Sequence, residues 1–375
     1  MKICYIADIN SVHSQRIISH FAQAGHEVIV LSITDPRSDR IYECPPYQIY
    51  PIANHWVTPG LTLRFLKNFT FMVWKIRAIL KKEKPDFIHA FFITDCGFLA
   101  ALSGFHPLII RAMGSDVLLH PARNILYRIA YKYAIAHADI IHTDTNYVRQ
   151  VICDDGALKN KVIKVAGGVN VDIFKPQPRN DLLLDKLNLE ADNKIIISTR
   201  GLEPVYDVQT LIRAIPNIID KHNNVRVIIA GIGSTETSLK DLAESLKVTK
   251  FIRFVGYVKP EPNMASLLNM ATLYVSTSLS DTFATSTLEA FACGKPVIVS
   301  DVPGTEEAVK NGINGYIFRR GDHVMLTNHI LNMLDHPEII EQMGRENREY
   351  AESNFDISKQ MALIGSFYTS ITHTS

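Results

Sequence analysis

The pattern that most constrains this chain is a double series of short apolar runs, rich in Val and Ile, separated by stretches of helical period. The first series runs Lys2–Ala7, Glu27–Ile33, Asp86–Phe92, Leu108–Ala112, Asp139–Thr143 and Lys161–Ala166. The second runs Lys194–Thr199, Val225–Ala230, Phe251–Val255, Leu273–Thr277, Pro296–Ser300 and Gly315–Phe318. Uninterrupted apolar strands alternating with helices require parallel sheets covered on both faces. At 375 residues the chain is too long for one ordinary core and suits two domains. The expected class is α/β, with two Rossmann-like doubly wound parallel-sheet domains facing across a cleft. Between the series, the stretch from Gly167-Gly168 to Pro176-Gln177-Pro178 has paired glycines and spaced prolines without period. The boundary is placed there, giving domains 1–170 and 171–355 and a C-terminal segment 356–375.

Charge narrows the function. Lys and Arg number 39 against 38 Asp and Glu, so no global basic field exists to hold nucleic acid by its phosphates. Divided at residue 170, the net charge is +6 before and −5 after, which suits an anionic acceptor or surface for the first half. Hydrophobic residues at 47% and charged residues at 21% fit neither a disordered chain nor an integral membrane protein. Asp8 leaves no room for the apolar core of a signal peptide, and a cytoplasmic protein is expected. The five cysteines, at 4, 44, 96, 153 and 293, are scattered without C-x-x-C, and no metal is expected. Neither G-x-G-x-x-G opening a helix nor G-x-x-x-x-G-K-[ST] occurs, which weakens dinucleotide and P-loop readings. Gly231-Ile232-Gly233 reads as a tight turn.

The most informative stretch is Ser276 to Pro296. A strand ends in hydroxyl-bearing residues, a helix opens near Thr282–Thr285, and Gly294 stops it. A helix N-terminus, with unpaired N–H groups and partial positive charge, suits a phosphate. Asp281 stands just before it, and Glu289 lies eight residues later, about two turns along. One carboxylate is placed to face a sugar and the other a ribose.

In this stretch the chain resembles the retaining, nucleotide-sugar-dependent glycosyltransferases of family four, which have the GT-B fold. Their signature of two spaced acids is written E-G-F-G-x-x-x-L-E-A-M-A-C-G-x-P-V, and this chain reads D-T-F-A-T-S-T-L-E-A-F-A-C-G-K-P-V. The resemblance extends through Ser11-Val12-His13, Gly25-His26-Glu27-Val28, the Gly114-Ser115-Asp116 turn, the Gly168–Pro176 linker and Arg200. It implies that Glu289 hydrogen-bonds the donor ribose, and that Asp281 contacts the sugar and supports oxocarbenium charge. The backbone N–H groups around Ala284, Thr285 and Ser286 would receive the diphosphate, and Arg200 would neutralise its leaving oxygen. The base is placed near Tyr257, with uridine the first choice and guanosine the second. His13, Ser11 and Asp116 are assigned to acceptor or sugar contact, although a structural role for His13 is equally open.

Several positions depart from the family pattern. A lysine usual after the arginine is replaced by Tyr206, which offers a hydroxyl and no charge. Lys295 is the candidate for supplying the missing cation. Asp281 is one methylene shorter than the usual Glu, and Met113 stands where many relatives have His.

The function these features imply is transfer of a sugar, with retention, from a nucleotide diphosphate to a glycan or lipid-linked hydroxyl. Neither metal nor cofactor is needed, and the sugar nucleotide is a co-substrate. The first domain would bind the acceptor and the second the donor, with the last helix crossing back to the first. The alternatives are a GT-B sugar-nucleotide epimerase or hydrolase, and a non-catalytic sugar-nucleotide-binding protein. The segment from Leu63 to Lys82 gathers Phe65, Leu66, Phe69, Met72, Val73, Ile76, Ile79 and Leu80 on one stripe, opposite Arg64, Lys67, Lys75 and Lys82. Phe71 and Trp74 stand beside that basic face. Such a helix either packs in the first domain with its aromatics covered, or makes peripheral contact with the inner face of a membrane.

Overall fold

A computed structural model describes residues 1–37, 46–52, 63–258, 261–282 and 284–373. The chain divides into two compact units, residues 1–166 with 361–375, and residues 167–360. Cys44 and Phe283 lie outside the described residues.

Unit 1 is built on seven parallel strands: β1 (Lys2–Ala7), β2 (Glu27–Ser32), β3 (Gln48–Pro51), β4 (Phe87–Phe91), β5 (Leu108–Arg111), β6 (Ile140–Thr143) and β7 (Val162–Lys164). Their order is β3-β2-β1-β4-β5-β6-β7. Six of the seven follow the apolar runs. The exception is β3, a half-exposed edge strand of four residues ending in Pro51, too short and too polar to carry a periodic signal. After β4 the chain turns through a π-helix, Phe92–Gly97, with Phe92 at φ 79°. Its apolar residues continue the strand composition, so periodicity alone extends β4 one residue too far.

Unit 2 has six parallel strands: β8 (Lys194–Ser198), β9 (Val225–Ala230), β10 (Ile252–Gly256), β11 (Leu273–Ser276), β12 (Val297–Ser300) and β13 (Gly315–Phe318). Their order is β10-β9-β8-β11-β12-β13. The order reverses between β8 and β11, and the loops leaving the carboxyl ends of those two strands diverge to form a crevice. The linker glycines already belong to this unit. Val169 N donates to Phe355 O at 2.8 Å, and Ile357 N donates to Val169 O at 2.9 Å. A Cβ on Gly168 would stand 2.7 Å from Ile357 Cα, so this approach needs glycine, and the unit begins at Gly167 rather than after residue 170.

The last helix, Ile357–His373, starts in unit 2, and from Met361 onward it is part of unit 1. Its anchor there is Tyr368, 1% exposed, packed 4.6 Å from the rings of both Phe21 and Phe87. The Tyr368 hydroxyl lies 2.6 Å from His89 Nδ1 on β4 and 3.2 Å from Tyr5 Oη on β1. Burial, then the charges of His142 and Arg111, hold His89 neutral far below the usual imidazole range. His142, whose Nε2 donates to Val165 O at 3.0 Å, is drawn down to about 4 by burial and by Arg111.

Tyr368→Phe removes one hydroxyl from two buried partners and is expected to cost about 1–3 kcal/mol of unfolding free energy, measured by urea denaturation. His142 binds its proton less readily folded than unfolded, so its contribution to stability is lost as pH falls from about 6.5 towards 4. His142→Gln is therefore expected to flatten the acid limb of a stability-against-pH curve over that interval.

Candidate functional site

The site is assembled where β8 and β11 end. Arg200 follows β8 by two residues, and the backbone beyond it is gripped by the turn after β9. Leu202 N donates to Ile232 O at 3.0 Å, and Thr235 N donates to Leu202 O at 2.9 Å. A Cβ on Gly231 would fall 2.2 Å from Arg200 O, and one on Gly233 would fall 2.2 Å from Leu202 O. Neither glycine has positive φ. What the turn requires of them is the absence of a side chain where two backbones meet.

The Arg200 guanidinium is held from three directions. Nη2 pairs with Asp281 Oδ2, Nη1 donates to Ser286 Oγ at 3.0 Å, and Cζ lies 4.4 Å from the centroid of the Tyr206 ring. Its side chain is 11% exposed. Burial works against the charge, but Asp281 first, then Tyr274, Tyr206 and Glu289, hold Arg200 above its ordinary range. It is a permanent cation. From sequence, Tyr206 stands in for a lysine through its hydroxyl; in the structure it serves Arg200 with the face of its ring instead. The loop carrying it is stitched to the other side of the site, because Thr277 Oγ1 donates to Tyr206 O at 2.8 Å and Leu279 N donates to Val205 O at 2.8 Å.

The helix Thr285–Ala292 begins at Ala284, an N-cap residue with no side-chain oxygen, so no side-chain cap closes its first turn. Its positive end therefore opens beside Arg200. Gly294, at φ 66°, ends the helix. Glu289 is 9% exposed on the second turn, near enough for its charge to support Arg200. Asp281 also accepts from Thr282 N at 2.8 Å.

Sequence reasoning missed Tyr274. It is fully buried on β11, and its hydroxyl donates to Ser286 Oγ at 2.8 Å. With both acceptor positions of Ser286 used by Arg200 and Tyr274, its own hydroxyl proton is left for a third partner. The signal was a lone tyrosine in a central strand, whose hydroxyl must find a partner when buried.

Within unit 2, two sequence candidates, Lys295 and Tyr257, do not join this cluster. Lys295 directly precedes β12, whereas Arg200 and Asp281 follow their strands, so it lies at the opposite edge of the parallel sheet. A four-residue strand spans about 13 Å, and the Lys295 ammonium is instead bonded to Asn269 O at 3.1 Å. Tyr257 follows β10, on the correct edge of the sheet but at its margin, two strands from β8. In unit 1, Ser11 is the N-cap of the helix Val12–Gln23, and His13 is exposed on its first turn. Asp116 is wholly buried and accepts from Ile93 N at 2.6 Å and Met113 N at 2.9 Å. Its carboxylate is spent on holding two turns, which corrects its assignment to acceptor contact. Burial lifts Asp116 to about 6, and burial together with Asp116 lifts Asp95, in the π-helical turn, to about 7. No pattern in the sequence distinguishes Asp95. Among the described residues no group of three metal-ligating side chains occurs.

A cation fixed between a carboxylate and a hydroxyl, at an uncapped helix terminus on the carboxyl edge of a parallel sheet, is the equipment of an α/β protein that takes a phosphate ester. Residues 180–350 match the family described as glycosyl transferases group 1, and residues 2–145 match the family described as glycosyl transferase 4-like. The protein belongs to these glycosyltransferases. It is 23% identical over 361 residues to N-acetyl-alpha-D-glucosaminyl L-malate synthase of Bacillus anthracis, covering 92% of this chain and 90% of that one. An uncharacterized glycosyltransferase of Methanocaldococcus jannaschii is 25% identical, covering 81% and 80%. EpsD of Bacillus subtilis is 26% identical, over 62% of this chain and 61% of its own length. Among solved structures, Anabaena HepE in complex with UDP-glucose superposes with a TM-score of 0.85 at 19% identity, covering 99% of this chain and 100% of HepE. That likeness establishes the fold, GT-B, built from two doubly wound units.

Gly231→Ala and Gly233→Ala are each expected to destabilise unit 2 by about 1–3 kcal/mol through overpacking, read by chemical denaturation. Alanine at Gly256, where a Cβ meets nothing within 4 Å, acts only through its positive φ and serves as the comparison.

Proposed function

We propose that this protein transfers a sugar, with retention and without a metal, from a nucleoside diphosphate donor held on unit 2 to a glycan or lipid-linked hydroxyl. The observation that carries the reading is the Arg200 cluster at the open end of the helix Thr285–Ala292. As the glycosidic C–O bond breaks, negative charge gathers on the departing phosphate oxygen. Arg200, the first-turn N–H groups and the Ser286 hydroxyl are already aimed where that charge develops, so little reorganisation is needed. Asp281, one carboxylate oxygen on Arg200, presents negative charge near the forming oxocarbenium ion, and Glu289 receives the ribose hydroxyls. The acceptor proton passes to the leaving phosphate, so no separate side-chain base is required. UDP-glucose bound to HepE supports uridine as the first choice of base.

Arg200→Ala is expected to lower turnover by about 10²–10³-fold, and Glu289→Ala to weaken donor binding, in a panel of uridine and guanosine sugar nucleotides. Product formed only with an acceptor present upholds transfer. Free sugar without acceptor would mean a hydrolase, isomerised donor an epimerase, and binding without turnover a non-catalytic protein.

A membrane partner belongs to the same proposal. In the helix Leu63–Glu83, Ile76, Ile79 and Leu80 enter the core, while Phe71 and Trp74 are 56% and 65% exposed with their rings stacked 6.1 Å apart. Among the described residues no neighbour covers these aromatics. The side chains of Arg64, Phe65, Leu66 and Lys67 lie outside the described residues. No described helix is long and apolar enough to cross a membrane, so the contact proposed is peripheral. Sedimentation with phosphatidylglycerol vesicles is expected to carry down the wild type and much less of Phe71→Ala/Trp74→Ala; equal sedimentation of the two would remove these residues from any such contact.

A further inference from the structure

Lys295 has no part in the Arg200 cluster, yet its surroundings are unusual for an ammonium. It lines a groove in unit 2 of about 640 Å³, walled by the linker at Gln177 and Arg179, the turn Gly294–Pro296 and the helix Pro337–Asn354. The groove lies on the amino edge of the sheet, away from Arg200. Its two innermost cations are fixed by neutral groups. Lys295 Nζ donates to Asn269 O at 3.1 Å. Arg179 donates through Nη1 to Ala191 O and Asn193 O, and through Nη2 to Thr272 Oγ1 at 3.3 Å.

Arg345 and Arg348 line the same groove from the helix. Glu341 reaches Arg345 only at 3.9 Å, and Arg348 is paired with Glu352 at 2.5 Å while its Nη1 serves three carbonyls. Glu349 is exposed at the rim. Among the described residues no carboxylate is bonded to Lys295 or Arg179. Burial, partly opposed by Cys293 and reinforced by Arg179, draws Lys295 down to about 8. A half-buried positive charge without a counter-charge is costly, and an entering anion would offset that cost.

We propose that this groove is a binding site for a phosphate-bearing small molecule of sugar-phosphate size. Lys295 and Arg345 make the direct contacts. Arg179, whose fork is already committed to the chain, contributes charge from the floor. The volume lies within the range of small-ligand sites, and Lys295 and Arg179, held by neutral groups alone, favour a dianionic group over a neutral sugar. The site is independent of sugar transfer: the groove and Arg200 stand on opposite edges of one sheet.

The test is isothermal titration calorimetry of the full chain with glucose 6-phosphate, using glucose as the uncharged control. Glucose 6-phosphate is expected to bind and glucose is not. Lys295→Gln is expected to weaken binding by about tenfold or more. Arg345→Gln, on an exposed helix face that tolerates substitution, is expected to weaken it by about two- to fivefold. Binding restores the proton that burial removes from Lys295, so at pH 8 the wild type is expected to take up about half a proton from the buffer. That uptake, read from heats in buffers of different ionisation enthalpy, would vanish in Lys295→Gln, and a purely structural lysine would show none. Arg200→Ala is expected to keep the binding, which separates this groove from the donor end. No binding at millimolar glucose 6-phosphate, undiminished binding in both groove variants, or loss confined to Arg200→Ala would each overturn the proposal.

Discussion

Unit 2 is organised around one ion pair, Arg200 with Asp281. A guanidinium this far from water is tolerated only with a partner charge and bonds to its remaining donors. Each neighbouring feature of the sequence supplies part of that requirement. Gly231 and Gly233 let the backbone on either side of Arg200 be clamped at contact distance, Tyr206 lies against the planar face, and Ser286 takes a second nitrogen. The first and last of these come from different crossovers of the sheet, and strand order alone brings them together. Removing either charge would strand the other, so Asp281 is bound into stability as well as into any chemistry.

That coupling gives meaning to the places where this chain differs from the family signature it resembles. The shorter acid still reaches Arg200. The position of the usual second cation is taken by an aromatic face, which stabilises charge already present without adding any. Tyr274 and Ser286 then add a hydrogen-bond donor rather than a second positive charge. At the carboxyl edge of its sheet unit 2 thus presents one cation, an uncapped helix terminus and a hydroxyl, each held in place.

Most of the fold was legible in the sequence because buried parallel strands are written as continuous apolar runs, and twelve of the thirteen strands follow such runs. The edge strand β3 and the π-helical turn were not, since neither carries a period. At the site, Arg200, Asp281 and Glu289 were singled out by the resemblance to the family signature, since two acids eight residues apart are by themselves ordinary surface chemistry. Tyr274, Gly231 and Gly233 were not, because each acts through an atom contributed by a distant part of the chain. Lys295 and Asp116 show the converse error. Nearness in sequence to a helix does not say which end of it a side chain reaches, and a polar residue after a strand can be spent wholly on backbone donors. The role proposed for Arg200 rests on the resemblance, whereas its rigidity needed coordinates.

The anchoring of Tyr368 among His89, Tyr5, Phe21 and Phe87 bears on how the protein is made. The strands of unit 1 are translated before unit 2, but its core lacks a tyrosine that arrives about two hundred residues after the last of them. Unit 2 is contiguous and has its whole sequence in hand first. During synthesis the sheet of unit 1 therefore waits, with a polar histidine and an apolar face uncovered, until all of unit 2 has been translated. Of the two sheets, the one translated first is the one completed last.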